Sequence, residues 1–121
     1  MKKLTYLLIA GIILLTSCKK ENEPVSLKIY PEHHGKHIYG ATAYIKFNTH
    51  TNPAPLTNYD LKVQGHVSED FILVDAINRG DHFIYCVGYD PAISMPVIGG
   101  IPFNIPQDYH GEFILEVPVT E

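Results

Sequence analysis

From Val25 onward, apolar and polar residues alternate with a period of two. Val25, Leu27 and Ile29 point one way while Ser26, Lys28 and Tyr30 point the other. Ala41, Ala43, Ile45 and Phe47 alternate with Thr42, Tyr44 and Lys46, and Leu61 and Val63 with Lys62 and Gln64. Near the end, Phe113, Leu115, Val117 and Val119 alternate with Glu112, Glu116 and Pro118, and only Ile114 breaks the rhythm. Successive side chains of a strand project to opposite faces, so this pattern predicts strands buried on one side. Phe71–Val74 and Phe83–Val87 are apolar throughout and predict central strands, and a shorter strand is expected at Ile101–Ile105. Turn residues separate these segments at His34-Gly35-Lys36, Tyr39-Gly40, residues 51–55, residues 78–81, Gly99-Gly100 and His110-Gly111. Six or seven short strands with such turns and no helical spacing predict an all-β sandwich, with an open barrel as the alternative.

The N-terminal residues follow a different rule. Lys2 and Lys3 precede an unbroken apolar run, Leu7 to Leu15. Nine helical residues span roughly 13.5 Å, whereas a bilayer core needs about 20 residues. The run is therefore the core of a secretory signal helix and is too short to span a membrane. It ends in Leu15-Thr16-Ser17-Cys18, which resembles the lipobox of bacterial lipoproteins. That resemblance implies cleavage before Cys18 and acylation of Cys18. The expected organisation is a signal peptide over 1–17, a lipidated cysteine and polar tether over 18–24, and a sandwich domain over 25–121. The expected partner is then a membrane, held through lipid, because two or more acyl chains anchor a protein durably.

Composition narrows the remaining choices. Nine basic residues against thirteen acidic ones, in 121 residues, leave no electrostatic footprint for nucleic acid. Removing Lys2 and Lys3 with the leader makes the balance more acidic still. With 45% hydrophobic residues the chain is suited to burying a core. The two cysteines are Cys18 and Cys86. If Cys18 is acylated, Cys86 has no partner, and its apolar surroundings mark it as a small core residue.

Two stretches together resemble the carboxypeptidase regulatory-like, transthyretin-related domains. The first is residues 34–46, His-Gly-Lys-His-Ile-Tyr-Gly-Ala followed by an alternating strand; the second is residues 77–90, an aliphatic residue, a Gly turn, an aromatic strand and Gly88-Tyr89. The resemblance implies a seven-stranded Greek-key β-sandwich of the prealbumin type, non-catalytic, serving as a binding or assembly module. It also implies a bacterial outer-membrane lipoprotein of the Bacteroidetes kind, its periplasmic or surface placement left open. An envelope protein or glycan is the expected partner, and neither cofactor nor catalysis is expected. The family's Asp-x-x-Gly turn before the third core strand is replaced here by Gln64-Gly65-His66-Val67-Ser68-Glu69, so a hairpin at that point is not carried over. The last strand has neither Asn nor Asp, so the internal Lys–Asn bond of related adhesin repeats is not carried over either.

For chemistry, the strongest cluster is His33-His34-x-x-His37, because neutral imidazoles ligate zinc, copper and nickel. It underlies the alternative reading of a metal-binding envelope protein using His33, His34 and His37. His82, at a strand border, is expected at the surface. Glu69, Asp70, Asp75, Asp81 and Asp90 are expected at strand ends in water, with nothing to select two of them as a catalytic pair. No G-x-S-x-G elbow, dense calcium loop or phosphate-binding glycine loop occurs. Of the tyrosines, Tyr39, Tyr44, Tyr59, Tyr85, Tyr89 and Tyr109 are expected mostly as core or sheet-face residues, with a subset on one exposed face suited to stacking on sugars or engaging a partner. The apolar stretch Ala92–Phe103 is expected to be a loop, either covering the core or binding protein.

Overall fold

A computed structural model describes residues 23–121. The signal helix expected over 1–17, Cys18 and tether residues 19–22 lie outside the described residues. Eight strands follow: β1 (Val25–His33), β2 (Lys36–His37), β3 (Thr42–Phe47), β4 (Leu61–Gln64), β5 (Ile72–Ile77), β6 (Gly80–Asp90), β7 (Met95–Ile105) and β8 (Glu112–Pro118). Among the described residues a 3-10 turn, Leu56–Asn58, interrupts the β structure. Among the described residues no helix is long and apolar enough to cross a membrane.

The strands form two four-stranded sheets. One runs β4-β3-β6-β7, antiparallel throughout. In the other, β1 is central, with β5 and the short β2 antiparallel along one edge and β8 parallel along the other. The alternating segments adopt the predicted phase. Val25, Leu27 and Ile29 of β1, Ala43 and Ile45 of β3, and Val117 of β8 all turn into a continuous core with Ile72, Ile84, Cys86, Val97 and Ile105. Each large aliphatic side chain buried there contributes about 1.5–3 kcal/mol relative to exposure. Polar partners of the alternation, such as Lys28 and Glu116, line the outer face.

Several sequence expectations are corrected. β5 is an edge strand with Leu73 exposed, so the apolar run Phe71–Val74 is not central; the centre of that sheet is β1. Lys28 lies over the Phe71 ring at 4.3 Å, which covers part of that outer face. The stretch expected as a loop over Ala92–Phe103 is a four-residue turn leading into the eleven-residue strand β7. Gly99-Gly100 is therefore mid-strand and not a turn. Their small size is used for close packing: a Cβ at Gly99 would lie 2.0 Å from the Pro118 carbonyl oxygen, and one at Gly100 would lie 2.9 Å from the Phe83 ring. Residues 65–71 cross from the β4 sheet to the β5 sheet, consistent with the missing hairpin signature.

His82 is also corrected. It is fully buried, on the same inward phase as Ile84 and Cys86, between the rings of Phe47 and Phe103. Its Nε2–H donates to the Asn78 carbonyl at 2.7 Å, and Nδ1 accepts from the Asn48 N–H at 3.4 Å. Interior burial of imidazole is tolerated because both ring nitrogens are partnered. Cys86 is buried as expected, and burial pushes its thiol up to about 12.

Candidate functional site

Three inward-facing rows finish at the same end of the sandwich, each in a polar residue. The row Val25, Leu27, Ile29, Pro31 of β1 ends in His33, and the row His82, Ile84, Cys86, Gly88 of β6 ends in Asp90. The row Leu115, Val117, Val119 continues to Glu121. The period of two that drives the apolar residues inward thus delivers an imidazole and two carboxylates to one place.

His33 is buried, and its Nδ1 lies 2.7 Å from Asp90 Oδ2 while its Nε2 lies 2.6 Å from Glu121 Oε2. Carboxylates only accept, so both ring nitrogens donate, and the cationic imidazole is the form that satisfies both contacts. The Asp90 carboxylate, with help from Glu121 and against burial, raises His33 above the usual histidine range. His33 in turn, with the Ala92 N–H, holds Asp90 below the usual carboxylate range. Glu121 is lowered first by its own backbone N–H and then by His33. Asp90 Oδ1 accepts the Ala92 N–H at 2.9 Å, so one carboxylate both orients His33 and shapes the turn between β6 and β7. Asp90 was expected in water; it is nearly buried because β6 runs to residue 90 and keeps its phase.

Next to His33, a two-residue turn joins β1 to β2. His34 (φ +52°) and Gly35 (φ +77°) both adopt left-handed backbone, as a type I′ hairpin turn requires. The turn folds the His34 ring against that of His33, with ring centroids 4.0 Å apart. His33, His34 and Glu121 each bring a ligand-type atom within 4.8 Å of the others. His37 belongs elsewhere. It pairs with Glu32 in the β-ladder, stacks on Tyr30 on the outer face, and places Nδ1 2.9 Å from Asp70 Oδ2. The three histidines therefore do not gather into one cluster: two converge with Glu121, and His37 groups with Glu32 and Glu116.

Two clefts open at this end. One, of about 400 Å³, is lined by Glu32, His33, His34, Glu116 and residues 118–120. The other, of about 480 Å³, lies among Lys36–Tyr39 and Tyr89–Ala92, with Tyr39 and Tyr89 59% and 52% exposed beside it. Glu121 escaped the sequence reading, and Asp90 was read only as a solvated carboxylate at a strand end. Extending the inward phase past Val87 to residue 90, and past Val119 to residue 121, was the signal available for both.

No family model and no curated protein matches the chain. Among solved structures, a DUF4876 family protein from Bacteroides thetaiotaomicron VPI-5482 is similar at a TM-score of 0.44 and 17% identity, over 79% of this chain. This chain spans 23% of that protein's chain.

Proposed function

We propose that the chain is a lipid-anchored bacterial envelope protein whose sandwich is a non-catalytic binding or assembly module. In this reading it is a carboxypeptidase regulatory-like, prealbumin-type domain of a Bacteroidetes-type outer-membrane lipoprotein. The observation that carries the reading is the polarity of the domain. Six residues separate Cys18 from Val25, a reach of at most about 25 Å. β1 begins at that anchored end and runs for nine residues, roughly 30 Å, to His33. A lipid on Cys18 would therefore hold the sandwich with both clefts, Tyr39, Tyr89 and the His33 group on the side away from the bilayer. Exposed tyrosine rings flanking a largely apolar cleft are suited to stacking on a sugar or on a partner's side chains. The seven strands of four residues or more, apart from the two-residue β2, support the prealbumin-type assignment by their number.

Metabolic labelling with a lipid precursor tests the anchor. Label is expected on the wild-type chain and absent from Cys18→Ala; equal labelling of both would defeat it. A photo-crosslinking residue at position 39 or 89 tests the working end. Crosslinks to an envelope protein or glycan are expected there and not at Leu56, which lines a separate cleft with Tyr59 and Tyr85; the reverse pattern would overturn the assignment.

A further inference from the structure

The geometry points to a divalent-metal site of the zinc class formed by His33 Nε2, one imidazole nitrogen of His34 and the Glu121 carboxylate, with Asp90 as the outer-shell partner of His33. Two imidazoles and one carboxylate are a donor set that zinc-class ions accept while keeping a fourth position for an outside ligand. The three groups already converge to within 4.8 Å.

Three independent features prepare them for that role. First, Asp90 accepts from Nδ1 of His33 at 2.7 Å, which fixes the ring and leaves Nε2 as the coordinating nitrogen. Imidazole ligands almost always hold such a carboxylate or carbonyl on the second nitrogen, because it sets the tautomer and increases basicity. Second, His34 occupies left-handed backbone, an uncommon conformation for a residue with a side chain. That conformation sets its exposed ring beside that of His33, with centroids 4.0 Å apart. Third, the 400 Å³ cleft opens directly onto His33 and His34, leaving room for the fourth ligand.

The required movement is small. Ligands at about 2.1 Å from a tetrahedral ion stand roughly 3.4 Å apart. His33 Nε2 and Glu121 Oε2 are now 2.6 Å apart, so Glu121 must withdraw by under an ångström. Its side chain is 42% exposed and has room to do so, while His33 stays fixed by Asp90. The ion takes the place of the proton between them. The imidazole pair disfavours calcium and magnesium, which take oxygen ligands.

Calorimetry of the untagged, chelator-treated chain with zinc chloride is the test, paired with the visible spectrum of the cobalt(II)-loaded protein. One zinc equivalent is expected at micromolar affinity or better, with the absorption of tetrahedral cobalt. His34→Ala and Glu121→Gln alter exposed side chains that the core does not use, and each is expected to weaken binding tenfold or more. Asp90→Asn is expected to weaken it by about 10- to 100-fold. His37→Ala is expected to leave it unchanged. Absence of heat at micromolar zinc overturns the assignment, as do unaltered affinities in both His34→Ala and Glu121→Gln. Loss of binding in His37→Ala with retention in His34→Ala would do the same, placing any ion on the outer-face group.

Discussion

Replacing Gly99 by alanine sets a methyl carbon against the backbone that joins the two sheets at the His33 end. The new Cβ would lie 2.0 Å from the Pro118 carbonyl oxygen and 2.9 Å from the Val119 Cα, against a closest approach of about 3.0 Å for real Cβ atoms. Both obstructing atoms are backbone, so no rotamer change relieves the clash, and the tail must retreat by about 1 Å or peel away. The tail is held by reciprocal hydrogen bonds between Ile98 and Thr120, each 2.8 Å, and by the Val119 N–H on the Glu32 carbonyl at 2.9 Å. Peeling forfeits the two bridge bonds, about 1 kcal/mol each, and part of the burial of Val119, up to about 1.5–3 kcal/mol. The expected loss is about 3 kcal/mol. With a urea slope of about 1–1.5 kcal/mol per molar, the unfolding midpoint falls by about 2–3 M. Equilibrium unfolding followed by circular dichroism and tyrosine fluorescence reads this directly. Gly35→Asn is the control, since nothing lies within 4 Å of its Cβ and asparagine tolerates the left-handed backbone there. Because Glu121 follows the displaced tail, Gly99→Ala must also weaken zinc binding. A midpoint within about 0.3 M of wild type would refute the packing argument.

Three further outcomes follow from the same structure. Cys86 titrates near 12 when folded against 9.0 as the reference thiol, so its contribution is intact below pH 9 and lost as pH rises toward 12. Between pH 8 and pH 10 the wild type should lose about 1 kcal/mol more stability than Cys86→Ala, measured by urea unfolding, and native Cys86 should resist thiol reagents at pH 8. Ile84→Ala, at the centre of β6 with no exposure, should cost about 2–5 kcal/mol in the same assay. Asp60 is held below the usual carboxylate range first by the Phe47 N–H and then by Lys46. Its stabilisation is therefore present above the reference value of 3.8 and lost as pH falls through the lower folded value. Asp60→Asn should be less stable than wild type at pH 6, with the gap closing on acidification; a gap that widens on acidification would contradict the assigned contacts.

Much of the fold is legible along the chain because burial of one sheet face imposes a period of two that local inspection can read. β1, β3, β4 and β8 lie where their alternation places them, and the buried thiol of Cys86 follows from its apolar neighbours. The apolar runs were less informative. A run without alternation reports burial but not which strands lie beside it, so β5 reads as central while it pairs only with β1. Glycine misled for a related reason. Gly99 and Gly100 carry the local signature of a turn, yet their lack of a side chain serves contacts with Pro118 and Phe83, residues 19 and 17 positions away along the chain.

What the sequence determined alone is the sandwich class, the burial of Cys86 and the histidines as the chemistry worth locating. Only the tertiary structure decided how those histidines divide. Adjacent residues on a strand project to opposite faces, and a type I′ turn reverses that rule for His34, so spacing in the chain does not report spacing in space. Asp90 lies 57 residues from His33 and Glu121 lies 88 residues away. They reach it because β6 faces β1 across the core, while β8 runs parallel beside β1 and carries its tail to the same end. That parallel pairing depends on the path of the whole chain between β1 and β8, which no local pattern encodes.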